Sequence, residues 1–216
     1  RVTGNVEQLR TALAHHAAPK PVAAPDANEA ANLALRFLKV LDPIEGGIRG
    51  APKFPQPAIF RFLWAAADRT GDRMLHEAVH LTLRKMAQGG IYDHLGGGFA
   101  RYSTDDTWLA PHFEKMLYDN AQLVELMSAV WRKTRDPILE RRTEETIDWL
   151  FREMRLENGC FTSAYDADSE GVEGKFYVWS ETEIDDLLGE DAPLFKQIYD
   201  VSELGNWENT NILNRR

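Results

Sequence analysis

The segment "APHFEKMLYDN" (residues 110–120) concentrates side chains that could carry out a reaction. His112 and Glu114 are suited to proton transfer, because an imidazole titrates near neutral pH and a carboxylate can serve as its partner. Tyr118 and Asn120 follow where an apolar helical pattern begins. Polar residues at a helix start also cap backbone groups, so the segment fits either a reaction site or a structural helix start.

A second group of carboxylates stands in "AYDADSEG". Asp166 and Asp168 are two residues apart, and burial with like charge would raise the pKa of one while the other stays ionised. The same letters resemble the start of a calcium loop. Tyr177 replaces the closing acid at the twelfth position, however, and the flanking helices of such a loop are missing. We therefore predict no metal site and treat both aspartates as catalytic candidates, with a solvated acidic turn as the structural alternative.

Candidates for substrate contact stand mainly in two loops rich in Gly and Pro, "DPIEGGIRGAPKFPQP" and "GGIYDHLGGGFARYSTDDTWLAP". They are charged, aromatic or amide side chains that suit a polar, ring-shaped ligand: Lys53, Phe54, Asp93, Arg101, Tyr102, Trp108, Tyr118 and Asn120. The glycines at 96–98 are not a dinucleotide fingerprint, since no strand and no βαβ unit surround them. We predict no cofactor.

Composition narrows the class of protein. The 216 residues are 44% hydrophobic and 27% charged, as in a globular protein, and the formal net charge of −9 argues against nucleic acid as a partner. No apolar run long enough for a membrane span and no signal peptide are present, which predicts a cytoplasmic location. Cys160 is the single cysteine; it excludes an internal disulfide and is expected to be half-buried. The chain begins with Arg1 and ends without a capping pattern, so we expect a piece of a longer protein.

Apolar spacing predicts an all-α fold. Residues 1–27 are expected to be a short helix and an Ala/Pro-rich linker, and residues 28–216 a single helical domain. The helices of that domain are predicted at about 27–41, 56–68, 71–88, 111–133, 136–156, 181–189 and 191–199.

The connections between these helices alternate between short and long. Only "RTGD" and "TRDP" separate the second helix from the third and the fourth from the fifth, whereas the intervening loops have about fifteen residues or more. Short connections force antiparallel helix hairpins, so the long loops must gather at one end. We expect that end to be functional and to carry His112 and Glu114 at a helix N-terminus. Within the loops, "FARYS" is expected to pair with "TWLA", and "CFTSA" with "KFYVW".

Three segments, "GGIRGAPKFPQP", "GGIYDHLGGGFARYSTDDTWLAPHFEKMLYDNAQL" and "FTSAYDADSEGVEGKFYVWS", closely resemble the thioredoxin-domain-containing family of spermatogenesis-associated proteins, over roughly residues 28–214. The resemblance implies a thioredoxin-like domain followed by an (α/α)6 toroid, similar to N-acylglucosamine 2-epimerases and six-hairpin glycosidases. The chain would hold the first half of that toroid. Its implied partners are the rest of the toroid, the upstream thioredoxin-like domain and a sugar ligand.

Two hypotheses about function follow. In the first, the toroid acts on a sugar, either as an epimerase or isomerase with His112 and Glu114 or Asp168, or as a glycosidase with Glu114 and Asp166 or Asp168 as its two carboxylates. In the second, the domain is a non-catalytic scaffold. "HFEKMLYDN" is then structural, with Lys115 paired to Asp119 along the helix and Asn120 holding the loops.

Overall fold

The computed structural model describes residues 2–17 and 26–216 of the chain. Its helices are α1 (Val2–Ala17), α2 (Ala27–Leu38), α3 (Pro57–Thr70), α4 (Arg73–Gln88), α5 (Leu117–Thr134), α6 (Pro137–Trp149), α7 (Glu181–Leu188) and α8 (Ala192–Tyr199). A π-helical turn, Leu150–Met154, extends α6 to about its predicted end.

The predicted N-terminal linker is shorter than expected, because residues 11–17 are helical. Alanines dominate that stretch, and alanine has the highest helix propensity. The part of the linker at 18–25 lies outside the described residues. Asp26 then begins α2 with a capping box, in which it exchanges hydrogen bonds with Glu29.

The short connections make antiparallel hairpins, as the loop lengths predict. Gly71 ends α3 in the left-handed conformation, and Asp72 caps the start of α4. Arg135 and Asp136 do the same between α5 and α6. Helix α3 packs on α5 and α4 on α6, around one apolar core. That core includes Phe60, Leu63, Val79, Leu83, Leu123, Met127, Val130 and Leu139.

Short antiparallel strand pairs form within the long loops and between them. They are β1 (Tyr102–Ser103) with β2 (Pro111–His112), β3 (Lys115–Met116) with β4 (Ala164–Tyr165), β5 (Asp168–Ser169) with β6 (Val172–Glu173), and β7 (Val178–Trp179) with β8 (Asn211–Ile212). The pair of β3 with β4 joins the second long loop to the third. An additional bridge between Lys53 and Ser103 joins the first long loop to the second. The long loops therefore meet at one end of the helices, which confirms the predicted loop face.

The start of α5 was predicted wrongly. The helix begins at Leu117 instead of 111, so His112 and Glu114 lie in extended backbone and not at a helix N-terminus. The backbone carbonyl of Glu114 accepts a hydrogen bond from the N–H of Arg101 at 2.8 Å, and Lys115 pairs with Tyr165. These long-range partners hold the segment extended.

Both predicted strand pairings within the loops are also wrong. "TWLA" cannot pair with β1, because the carboxylate of Asp105 accepts hydrogen bonds from the backbone N–H groups of Thr107, Leu109 and Ala110 and folds this segment into a turn. The segments "CFTSA" and "KFYVW" pair with β3 and β8 instead of with each other. Cys160, expected to be half-buried, is exposed.

Candidate functional site

The extended segment 111–115 has two different faces, because successive side chains of a strand point in opposite directions. His112 and Glu114 are partly exposed on one face. Pro111, Phe113 and Lys115 are buried on the other. The segment therefore separates two environments, and only the first brings together sequence-predicted residues from several loops.

On the exposed face, three rings from three positions in the chain form a stack. The ring of Tyr102 lies 4.6 Å from that of Phe54 at an interplanar angle of 25°. Its distance to the imidazole of His112 is 5.1 Å, at 24°. Phe54 remains 39% exposed, so the stack has an apolar surface open to a ligand.

Ionisable groups surround this stack. A guanidinium nitrogen of Arg101 lies 3.0 Å from a carboxylate oxygen of Glu114. The imidazole of His112 has Nδ1 at 2.7 Å from a carboxylate oxygen of Glu173 and Nε2 at 3.9 Å from Glu114. Hydrogen bonding to Glu114, followed by the nearby Tyr118, raises the pKa of the Arg101 guanidinium. The hydrogen bond to Glu173 thus orients the imidazole, whose other nitrogen faces Glu114 without a hydrogen bond.

Asp119, in the first turn of α5, is the group with the most altered acidity in this region. It is 8% exposed, and burial raises its pKa to about 6, with Arg101 lowering the pKa and Glu114 raising it. No hydrogen bond from a described residue contributes to that shift. A carboxyl group that holds a proton near pH 6 can act as a general acid.

We call this set the loop-face cluster. It consists of Phe54, Arg101, Tyr102, His112, Glu114, Tyr118, Asp119 and Glu173. Sequence reasoning missed the last two as site residues. Asp119 stands inside the first segment considered but has no motif of its own, and Glu173 reaches His112 only through the β5–β6 hairpin.

Three of the predicted substrate-binding residues lie in the interior. The ammonium of Lys53 donates hydrogen bonds to Asp42 and to the carbonyl of Gly46. The Trp108 indole N–H donates to the carbonyl of Glu45 at 2.8 Å, and the side chain of Asn120 binds both the N–H and the C=O of Phe99. Their polar atoms are used to hold loops, as the scaffold hypothesis expects for Asn120.

Asp93, another predicted contact, forms a buried ion pair with Lys115 at 2.7 Å. Although burial raises the pKa of Asp93, the charge and hydrogen bond of Lys115 hold it below its usual range. The predicted pair of Lys115 with Asp119 is wrong for the same reason, since the Lys115 side chain points to the opposite face of the segment.

Asp166 and Asp168, in the third long loop, lie at the surface. Both are exposed, and Asp166 accepts a hydrogen bond from the backbone N–H of Asp168 at 3.0 Å. The structure therefore does not provide the burial that the acid–base interpretation of this pair requires. Over residues 2–17 and 26–216, no group of three or more His, Cys, Asp or Glu side chains could hold a metal ion.

Comparison with solved structures defines the class of fold. A sugar epimerase from a ruminal bacterium matches with a TM-score of 0.58 at 16% identity, over 73% of this chain and 46% of that one. The cellobiose 2-epimerase of Spirochaeta thermophila matches with a TM-score of 0.54 at 27% identity, over 65% and 39%. The fold is thus an incomplete (α/α)6 toroid, which confirms the predicted class.

Comparison with curated proteins identifies homologues. Spermatogenesis-associated protein 20 of Mus musculus and of Homo sapiens are each 40% identical in an alignment of 182 residues, and the match covers 74% of this chain and 23% of each relative. The resemblance predicted from the loops is therefore confirmed, and the chain spans about a quarter of the length of these relatives. No protein-family model matches the sequence. Within the described residues, no helix combines the length and apolarity that crossing a membrane requires.

Proposed function

We propose that the loop-face cluster binds a sugar and that the complete protein uses it to move a proton at the carbon next to the sugar carbonyl. The observation that carries this proposal is the partly exposed ring stack of Phe54 and Tyr102 beside His112, Glu114 and Asp119. The sugar epimerases among the structural neighbours support it.

Each part of the cluster has a role in this proposal. Phe54 and Tyr102 contact the apolar face of the sugar ring, and Arg101 binds a hydroxyl or the carbonyl oxygen. His112 takes the proton from carbon, and Glu173 orients the imidazole. Asp119 gives a proton to the carbonyl oxygen, which yields an enediol. The enediol turns so that its other face meets the imidazolium of His112, which returns its proton to the carbon while Asp119 takes back the proton from oxygen. This gives the epimer and restores both groups.

The hydrolase version of the sugar hypothesis is less favoured. It requires a second carboxyl group across the glycosidic oxygen from Glu114. The candidates are Asp166 and Asp168, and the first already accepts a backbone hydrogen bond in an exposed turn. A catalytic role for Asp166 and Asp168 stays a prediction.

The proposal is tested with the full-length protein in D2O. Cellobiose, glucose, mannose and N-acetylglucosamine are followed by proton NMR for exchange at the carbon next to the carbonyl. We expect exchange with at least one sugar, and its loss in His112→Asn and Glu114→Gln. Glu125→Gln, which alters a surface ion pair on α5, is the control. Full exchange in both cluster variants would overturn the assignment.

A second candidate is the non-catalytic scaffold, attached to a thioredoxin-like domain. Arg101 with Glu114 and His112 with Glu173 also act as links between loops, which favours it. In that case none of the sugars binds, whereas Glu114→Gln and Glu173→Gln lower the free energy of unfolding of the full-length protein.

A further inference from the structure

A cavity of about 640 Å3 lies behind the segment that carries the loop-face cluster. Pro111, Phe113 and Lys115 line it, whereas His112 and Glu114 face the other way. None of the residues of the loop-face cluster is among its lining residues. The volume is that of a small-molecule site, and the cavity is separate from the site proposed above.

Aromatic side chains form much of the cavity wall: Tyr92, Phe113, Phe176, Tyr177 and Trp179. Phe176 is 72% exposed, although it is a large apolar side chain. An exposed ring beside a cavity is a typical contact for a ligand, because binding removes its surface from water.

The charges of the lining favour a cation. Four carboxylates line the cavity (Asp93, Glu153, Glu170 and Glu183) with two lysines, Lys115 and Lys175. Both lysines are already ion-paired, with Asp93 and Glu170 respectively. Glu153 is also ion-paired, with Arg152 at 2.6 Å. Among the described residues, Glu183 is the lining carboxylate that forms no ion pair, so the lining keeps an excess of negative charge.

Two titratable side chains reflect this environment. Burial, then Asp93 and Glu153, raise the pKa of the Tyr177 hydroxyl, because negative charge disfavours the phenolate. His94 does not offset the acids, since burial, together with the charge of Arg142, lowers the pKa of its imidazole to about 4. The imidazole is therefore neutral at pH 7.

The wall is also held in place. Gly174 donates a backbone hydrogen bond to the carbonyl of Ala167 at 2.9 Å, and Tyr177 donates one to Gly174 at 2.8 Å. Gly174 has a φ of +74°, and a Cβ there would clash with the ring of Phe113. Only glycine allows this close approach, so contacts within the protein hold this part of the wall.

We propose that this cavity binds an organic cation of metabolite size, with an ammonium group on an apolar body. The aromatic rings contact the ammonium and the body, and Glu183 balances the charge. The lining repels anions. This proposal does not depend on the sugar hypothesis, because it uses other residues.

The test separates charge from shape. The full-length protein is titrated with choline, and with 3,3-dimethylbutan-1-ol, in which a neutral carbon replaces the quaternary nitrogen. Spermidine and tyramine test other ammonium groups. We expect saturable binding of at least one cation and, if choline binds, about tenfold weaker binding of its neutral analogue.

Variants locate the site. Phe176→Ala and Glu183→Gln should each weaken the binding of the cation severalfold, and glutamine at 183 still accepts the capping hydrogen bond from Ser180. Phe151→Ala, which removes a comparably exposed ring outside the cavity, should not. Equal affinity for choline and its analogue, binding unchanged in Phe176→Ala, or no saturable binding of any of the three cations would overturn the proposal. Binding of cellobiose that Phe176→Ala abolishes, without cation binding, would assign the cavity to a sugar instead.

Discussion

The ammonium nitrogen of Lys115 lies 2.7 Å from a carboxylate oxygen of Asp93, and both side chains are largely shielded from solvent. Lys115 also donates to the carbonyl of Gly97 at 2.8 Å and lies 4.8 Å from the ring centroid of Trp149. The second long loop is thereby fixed to itself and to α6, next to the segment that carries His112 and Glu114.

Removing one partner of this pair should strongly destabilise the protein. We expect Lys115→Met to lower the free energy of unfolding by about 3–5 kcal/mol, because Asp93 is left as an uncompensated buried charge. Adding Asp93→Asn should recover part of the loss. Urea unfolding measures both effects. Lys133→Met breaks an exposed pair with Asp68 and should cost about 1 kcal/mol or less; equal losses in the two lysine variants would contradict a buried pair.

Gly47 allows the first loop to pack on a buried indole. Its φ is +72°, and a Cβ would lie 2.6 Å from Cζ2 of Trp108. Gly71 has the same φ of +72° with no atom within 4 Å of that position. We expect Gly47→Ala to cost about 1–3 kcal/mol more than Gly71→Ala in thermal unfolding, because only the first is overpacked. Equal costs would mean that Trp108 moves aside freely.

Asp119 should make stability depend on pH. Its folded-state pKa of about 6 lies above the ordinary value of 3.8, so the folded protein holds a proton that the unfolded chain releases. Stability should therefore fall as the pH rises from about 4 to 6 and level off above that.

Replacing the Asp119 carboxyl group should remove this pH dependence of stability. We expect Asp119→Asn to be about 1–2 kcal/mol more stable than the parent at pH 7 and no more stable at pH 4, as measured by urea unfolding. Asp136 is the contrasting control. Burial raises the pKa of Asp136, but hydrogen bonds from Arg84 and His80 outweigh burial and bring the pKa below its ordinary value. Asp136→Asn should therefore lose stability at pH 7. A loss at pH 7 in Asp119→Asn as well would show that its carboxylate is stabilised.

If the loop-face cluster transfers protons, Glu173 is a positioning residue for His112. We expect Glu173→Gln to lower turnover on the order of tenfold to a hundredfold and to shift the pH profile, because the imidazole loses a charged hydrogen-bond partner. Glu170→Gln, on the same hairpin but directed to Lys175, should leave both unchanged. The same turnover and pH profile in both variants would remove Glu173 from the mechanism.

The helix hairpins and the loop face could be predicted from the sequence, because apolar periodicity and loop length are local quantities. His112, Glu114 and Tyr118, which stand together in the first segment, also lie together in the loop-face cluster; their roles stay predictions. The start of α5 could not be predicted, because Glu114 and Lys115, just before it, are held in extended backbone by Arg101 and Tyr165, which come from elsewhere in the chain.

What the sequence by itself determined is the class of fold, the end of the molecule where polar residues gather, and the resemblance to homologues. Tertiary structure decided which of those polar side chains remain partly exposed. Lys53, Trp108 and Asn120 have side chains suited to ligand recognition. In the structure their polar atoms form hydrogen bonds with backbone groups of other loop residues. Glu173 joins His112 across 61 residues for the same reason. A buried polar group must find a partner, and that partner is known only once the loops have packed together.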